Sequence, residues 1–535
     1  ADDIISEPYA KGTKFTSRPD DPYNKVTIES LSGDLQLFDG RMNHNNGWFV
    51  LRSNIKPGVT KGAVKWIITP NVVADWMYQP VIQTSQIGYH PTQDKEAVIE
   101  MDIRDNRKET AQIIRIDADG EKVVKNVTPA NWGKFLRYNY LKVNFTDVKE
   151  PGLYKIKYNT SVSPIFRIDN DVYARGVWQP VLEYFLPVQM CHMRVNEKYR
   201  VWHDCCHMDD AQMAPAHNHI DGYDQKEGLS KFKPGEVVPG VNIGGWHDAG
   251  DFDLRIESQA GESYILALAY EAFHPNLDVT SIDQINRVTE IHQPDGKNDL
   301  LQQVENGALT VVNGYLALGR LYRGIICNDL RQYVLLGDAA AMTDGKIGNE
   351  DDRWIFTEDN PGRELSTAAQ LAAVSRVLKG FNDTLSVHCL DIARKVYAST
   401  GSGNNRALFP KVQAAVELYL TTGEQPYMDF ILDNQELIIK QIGRIGWYTA
   451  RVEKLFAQMK NKKAKAFSAA FRKALTGYEQ ELNKQVQETP YGVPYRPNIW
   501  GAGWDIQRFG FQHYFLTTAY PEIFPKAPVF NALNF

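Results

Sequence analysis

A chain of 535 residues is too long for one ordinary core, so two or three domains are expected, and 43% hydrophobic with 23% charged residues is the balance of a folded protein, not a disordered one. A formal charge of only −6, with no dense Lys/Arg stripe and interleaved aromatics, argues against nucleic acid as a partner. No run of about 18 apolar residues is present to span a membrane, and five cysteines are too few, and odd in number, for a disulfide scaffold.

The first residues, Ala1-Asp2-Asp3-Ile4, carry neither a basic n-region nor an apolar h-region, so a signal has been removed or was never there. Residues 1–80 hold short β-favouring runs, Trp48-Phe49-Val50-Leu51 and Ala63 to Ile68, separated by Gly, Pro and Asn, and read as a β-rich segment of unknown role. Over 81–170 the pattern continues with Ala97–Met101, Ala111–Ile116, Leu141–Phe145 and Leu153–Tyr158. Turn signals at Asp119-Gly120 and Pro151-Gly152 make this a predicted β-sandwich of immunoglobulin type.

Near residue 171 the period changes. About ten helical segments are predicted to the end of the chain, among them 172–190, 255–273, 299–323, 365–379, 386–399, 410–422, 427–441, 465–483 and 505–519. Consecutive helices without strands between them mean an all-α domain, and the lack of a fixed 34- or 40-residue repeat favours a closed ring of helix pairs over a solenoid.

The most informative stretch is Gly244-Gly245-Trp246-His247-Asp248-Ala249-Gly250-Asp251-Phe252-Asp253, just before the helix expected near 255. Glycines allow a tight loop that gathers carboxylates at a helix N-terminus, where the positive end potential favours the ionised form that a general base requires. Asp is also a favoured helix cap, so Asp251 and Asp253 have a purely structural alternative. A second constellation, Cys191, Cys206-His207 and His247, has the thiolate and imidazole ligands of a closed tetrahedral metal site, with Cys205 and His203 as rival ligands. Cys327 and Cys389 read as free core thiols in distant helices. Aromatic content is 11%, which suits a cleft where flat rings stack on sugar faces, although most such rings serve cores.

The run Gly-Gly-Trp-His-Asp-Ala-Gly-Asp resembles the catalytic loop of glycoside hydrolase family 9. So do Gln83 to Pro91, at the opening of that family's immunoglobulin-like domain, Cys206-His207-Met208-Asp209-Asp210-Ala211, and Asp299 to Glu305. The resemblance covers about 81–535. It implies an N-terminal immunoglobulin-like β-sandwich followed over 171–535 by an (α/α)6 barrel. It also implies inverting cleavage of β-1,4-linked glucan polysaccharide or oligosaccharide, with Asp251 as the general base and Asp248 helping to hold the water. Cys191, Cys206, His207 and His247 become ligands of a structural zinc, and the secreted, periplasmic or cell-surface location of such enzymes is expected. Trp246, Trp500 and Trp504 are candidate sugar platforms. Asp209 and Asp210 are candidate calcium ligands, although no spaced run of acidic ligands surrounds them.

An inverting enzyme also needs a general acid across the scissile bond. Family 9 carries it on a late Glu, and neither Glu257 nor Glu305 matches that position. The acid is therefore expected beyond residue 535, in closing helices that the barrel would otherwise lack, with an associated C-terminal fragment as a partner. Two other readings stay open at this point. The long segment from Met213 to Pro239 would give an exo-acting glucosidase or glucosaminidase if it walls off the cleft, and a missing acid would leave a non-catalytic glycan-binding homologue.

Overall fold

The computed structural model describes residues 7–40, 48–209, 211–216, 223–248, 252–327, 343–349, 351–401, 405–498 and 501–535. The chain divides into two compact units, residues 1–80 with 101–106, and residues 81–100 with 107–535.

In the first unit β1 (Ala10–Gly12), β2 (Lys14–Ser17), β3 (Val26–Ser30), β4 (Leu35–Asp39), β5 (Phe49–Arg52) and β6 (Trp66–Pro70) form two three-stranded sheets, ordered β1-β4-β5 and β2-β3-β6. Among the described residues of 1–80, Leu35 and Phe38 are buried apolar side chains, while Trp48, Ile68 and Val72 stay exposed.

The second unit opens with β7 (Val81–Gln83), β8 (Glu96–Asp102), β9 (Ala111–Asp117), β10 (Gly120–Val127), β11 (Ala130–Phe135), β12 (Tyr138–Asn144), β13 (Gly152–Tyr158), β14 (Ser161–Val162) and β15 (Phe166–Ile168). One sheet runs β10-β9-β13-β14 with β15 also on β13, and the other β11-β12-β8-β7. The period-2 pattern turns Tyr154, Ile156 and Tyr158 of β13 inward. Tyr89, Phe145 and Phe166 meet between the sheets with ring centroids 5.2–5.5 Å apart, a geometry that adds to simple burial.

After the sandwich the chain becomes helical, and side-chain caps explain where several helices start. Asn298 accepts from Leu300 N–H and Leu301 N–H at the head of Asp299–Leu318. Asn360 accepts from Arg363 N–H before Pro361–Leu378, and Asn461 from Lys463 and Ala464 N–H before Lys462–Val486. Gly319 ends the 299–318 helix in the left-handed conformation, at φ +74°, which cuts short the expected 299–323 segment.

The helices pack in alternation. Ile256–Phe273, Pro361–Leu378, Asn405–Thr422, Ile442–Ala457 and Gly503–Ala519 each touch the next in that order. Asp299–Leu318, Asp383–Ser399, Gln425–Asp433, Lys462–Val486 and Ala527–Asn534 lie beside them as partners. Inner helices are buried on most sides, as in 361–378, where Leu365, Ala368, Ala369, Leu371, Ala372, Ala373 and Val374 are all enclosed. At the centre Glu417 is completely buried. It accepts from Tyr264 Oη at 2.7 Å and pairs with Arg376 Nη2 at 3.0 Å and with Arg451, so four inner helices share one charged cluster.

Several expected elements need correction. The segment 172–190 is helical only at Gln179–Tyr184 and Leu186–Gln189, because Pro180 and Pro187 restrict helix to short starts. The 427–441 segment breaks at Asn434 into Gln425–Asp433 and Gln435–Lys440. The helical region also contains strands, contrary to expectation. Arg194–Glu197 pairs in parallel with Val288–Ile291, and Gly324–Cys327 pairs antiparallel with Arg353–Phe356. No helix among the described residues is long and apolar enough to cross a membrane.

Candidate active site and metal centre

The glycine-rich segment at 244–253 is held down residue by residue. Gly244 and Gly245 take φ +65° and +87°, and a Cβ on Gly244 would lie 2.2 Å from the Asn306 carbonyl oxygen, so a larger residue cannot approach the 299–318 helix so closely. Gly245 N–H donates to that carbonyl at 3.0 Å, and the Gly245 carbonyl accepts from Cys191 N–H at 3.0 Å. The Gln259 amide brackets Trp246, accepting from its N–H at 2.9 Å and donating to its carbonyl at 2.8 Å. His247 N–H donates to the Gln189 carbonyl at 2.6 Å, and Asp248 N–H to the Asp253 carbonyl at 3.0 Å. This last bond brings the two ends of the 248–253 segment together. Asp251, the expected base, falls outside the described residues.

The Asp248 carboxylate lies 3.2 Å from Arg255 Nε, and the same guanidinium lies 3.3 Å from Asp253. Asp253 is fully buried and accepts from Cys327 N–H at 2.7 Å. The capping alternative for Asp253 therefore fails. The helix Ile256–Phe273 starts after an extended Arg255 with no side-chain cap, and the Asp253 oxygens face Cys327 and Arg255. Glu262, half-buried on that helix, is pushed up to about 7 by burial and by the negative charge of Asp248.

The long segment between 213 and 239 leaves through a zipped neck. Met213 N–H donates to Glu236 carbonyl, Gly235 N–H to Met213 carbonyl and Val238 N–H to Ala211 carbonyl, at 2.8–3.0 Å. Beyond the neck it places buried Tyr223 beneath the guanidiniums of Arg255 and Arg323, 5.8 and 4.7 Å from its ring centre.

Beneath the loop, Cys191, Cys206, His207 and His247 are all buried, with candidate donor atoms within 4.8 Å of one another. The two Sγ atoms are 3.9 Å apart, Cys191 Sγ is 3.9 Å from His207 Nδ1, and Cys206 Sγ is 3.6 Å from His247 Nε2. A tetrahedral ion with M–S of about 2.3 Å and M–N of about 2.0 Å separates its donors by about 3.3–3.8 Å, so the residues present fit one metal ion. Burial lowers the proton affinity of both imidazoles, as ligation requires. Burial alone would raise the Cys191 thiol, but the hydrogen bond from Cys206 and the charge of Arg353 outweigh it and hold Cys191 well below the ordinary value. Its rivals are engaged elsewhere: Cys205 Sγ faces the Arg287 carbonyl at 3.8 Å, and His203 Nδ1 the Asp204 carbonyl at 2.8 Å.

The sequence model of glycosyl hydrolase family 9 matches residues 181–531, about two thirds of the chain and all of this site. The chain belongs to glycosyl hydrolase family 9. The model of the cellulase N-terminal ig-like domain matches residues 77–163 of the same family 9 chain. A xyloglucan-specific endo-β-1,4-glucanase of Bacteroides ovatus is 24% identical over 455 residues, 79% of this chain and 72% of that protein. Endoglucanase D of Acetivibrio thermocellus is 19% identical over 378 residues, 67% of this chain and 54% of that protein. Among solved structures, a metagenome-derived family 9 endoglucanase superposes with a TM-score of 0.63 at 19% identity, covering 85% of this chain and 83% of that one. A Zn-binding triple mutant of another family 9 endoglucanase does so at 0.60 and 20% identity, covering 83% and 81%. The helical domain thus has the (α/α)6 barrel fold of its family, with the five helix pairs described above, and follows an immunoglobulin-like β-sandwich in sequence.

The remaining candidates separate. Trp246 is only 2% exposed, its ring packed on Phe185 and over Gly307, which leaves no face for a sugar. Trp504 is 66% exposed at the head of the 503–519 helix, and Trp500 lies outside the described residues. Glu257 pairs with Arg323 and Arg363, and Glu305 accepts from Asn382 at 2.6 Å. Cys389 is a free buried thiol on the 383–399 helix. Cys327 is buried too, but it ends a strand and donates its N–H to Asp253 of the 244–253 loop, so it does not lie in a distant helix as expected. Asp209 gathers with Asp344 and Asp351 as a second group able to hold a cation, while Asp210 is outside the described residues. Arg255, Gln259, Glu262 and Arg353 escaped the sequence reading, because no motif marks them. The one available signal was that Arg255 directly follows the loop.

Proposed function

We propose that this chain is an inverting endo-β-1,4-glucanase that acts outside the cytoplasm on a β-1,4-glucan backbone, with Asp251 as general base and Asp248 steadying the attacked water. The observation that carries the reading is the loop at 244–253, fixed at both ends inside a family 9 match that spans 181–531. A base must sit within hydrogen-bond reach of its water, so a loop tied by so many backbone bonds serves the chemistry directly. Xyloglucan leads the substrate panel because the B. ovatus relative is named for it.

The metal at Cys191, Cys206, His207 and His247 is proposed to be zinc, on the two-thiolate, two-imidazole donor set and the donor spacing. With four protein ligands and no open position it supplies a cross-link and takes no part in bond cleavage. Calcium at Asp209, Asp344 and Asp351 is proposed on the convergence of three carboxylates.

The test is Asp251→Asn and Asp248→Asn in the full-length enzyme, assayed on xyloglucan, mixed-linkage glucan and carboxymethylcellulose, with the anomeric configuration of the first product followed by NMR. The expected result is an α-configured product and a kcat loss of about 10²–10⁴ for Asp251→Asn with glycan binding retained. Near wild-type turnover by Asp251→Asn would remove it from the base position, and a β-configured first product would refute inversion.

A further inference from the structure

Arg353 begins the strand Arg353–Phe356 and is completely enclosed, 0% exposed, beneath the catalytic loop. One arm of its guanidinium donates to the carbonyl of Phe252, the residue that follows Asp251 in sequence. The other arm lies 3.3 Å from Cys191 Sγ and 3.3 Å from His192 Nε2. His192 Nδ1 in turn lies 2.9 Å from the Gly244 carbonyl oxygen. These contacts fix the imidazole's state. Nε2 accepts from Arg353, so Nδ1 carries the proton and donates to Gly244.

A single side chain thus reaches three places: the stem of the loop after Asp251, the stem before His247 by way of His192, and a sulfur of the metal quartet. The strand paired with it supports the same loop a second way. Cys327, its partner across the ladder, donates its N–H to Asp253. A planar guanidinium with five donors in a fixed fork can address a carbonyl, a thiolate and an imidazole together, whereas a lysine ammonium at the same place is a single point on a flexible stem.

We propose that Arg353 is a positioning residue that couples the metal centre to the catalytic loop, holding the Phe252 carbonyl and the Cys191 sulfur in one register so that the stem of Asp251 is set by the metal site. The coupling rests on the functional reading above for its effect on turnover. Its other half, the contact with Cys191, stands independently of what the enzyme cuts. Outer-shell partners of metal ligands commonly change metal affinity about 10–100-fold when replaced, and a displacement of about 1 Å near reacting groups costs about 10² in rate.

The experiment compares wild type, Arg353→Lys and Arg353→Met in the full chain loaded with zinc. It reads the rate of zinc transfer to a chromogenic chelator, zinc content after dialysis, melting temperature, and kcat and KM on the best β-glucan. For Arg353→Lys the expected result is one zinc retained, zinc release about 10-fold or more faster, and kcat lower by about 10-fold or more at KM within about two-fold. Arg353→Met should lose zinc as well. Wild-type release and wild-type kcat in Arg353→Lys would overturn the proposal. So would faster release without any loss of kcat, or a kcat loss matched by a lower folded fraction with release unchanged. If the wild type hydrolyses no β-glucan, the functional reading fails, and the release rate alone then decides the link between Arg353 and the metal site.

Discussion

Glu262→Gln isolates one ionisable group beside the 244–253 loop. In the folded chain Glu262 keeps its proton to about 7, against an ordinary value of 4.5, through burial and the charge of Asp248. Between those values the folded state binds more protons than the unfolded one, so this group's contribution to stability is complete below about pH 4.5 and declines as pH rises to about 7. At about 1.4 kcal/mol per pH unit, the loss amounts to about 3 kcal/mol by pH 8. Glutamine is neutral at every pH and has nearly the shape of the protonated acid. The variant should therefore exceed wild type by about 1 kcal/mol near pH 5.5 and by about 3 kcal/mol near pH 8. The assay is urea unfolding of both proteins across this range, followed by the tryptophan signal of the barrel. Stability curves that run parallel for variant and wild type from about pH 5 to 8 would refute the argument, because any other titrating group is common to both.

Cys206→Ala should lose the bound metal and melt at a lower temperature, since a closed metal site contributes to folding, and elemental analysis with calorimetry checks both. Gly244→Ala places a methyl 2.2 Å from the Asn306 carbonyl oxygen at φ +65°. It should lower kcat while the 299–318 helix keeps its protection in hydrogen exchange. Glu417→Gln leaves the buried Arg376 and Arg451 with Glu271 as the one carboxylate of the cluster. A loss of about 3–5 kcal/mol is expected in denaturant unfolding, and the native pair should weaken in acid because those two guanidiniums, working against burial, hold the Glu417 carboxyl below its ordinary value.

What the sequence disclosed followed the range of its signals. Period and turn residues are local, so the sandwich strands and most helices were legible, down to the break that Asp119-Gly120 puts between β9 and β10. Short strands such as Arg194–Glu197 were not: four residues carry too little pattern, and although Arg200–His203 pairs with it directly after a tight turn, its other partner, Val288–Ile291, lies about ninety residues away. The convergence of Cys191, Cys206, His207 and His247 was legible because cysteines and histidines are rare and chemically marked. Arg353 was invisible, since a lone arginine in a mixed run reads as surface, and only the fold brings it 162 positions back to Cys191. Trp246 misled for a related reason. An indole next to a catalytic motif has the chemistry of a sugar platform, but Gly307 removes the side chain that would have kept it out of the core.

The neck at residues 211–213 and 235–238 closes an excursion whose chain ends run directly to His207 on one side and His247 on the other. Because that neck is zipped by backbone bonds, it is indifferent to the side chains beyond it. The stretch it carries is an exchangeable cassette. Its exposed part can drift in length and composition, whereas Tyr223 and Gln225 are buried against Phe356 and Thr357 and brace the strand that carries Arg353. Through Tyr223, which comes from inside the cassette and meets Arg255, a change at that position still reaches the Asp248 carboxylate. The exposed part of one segment can therefore change while the backbone frame around Asp248 stays constant.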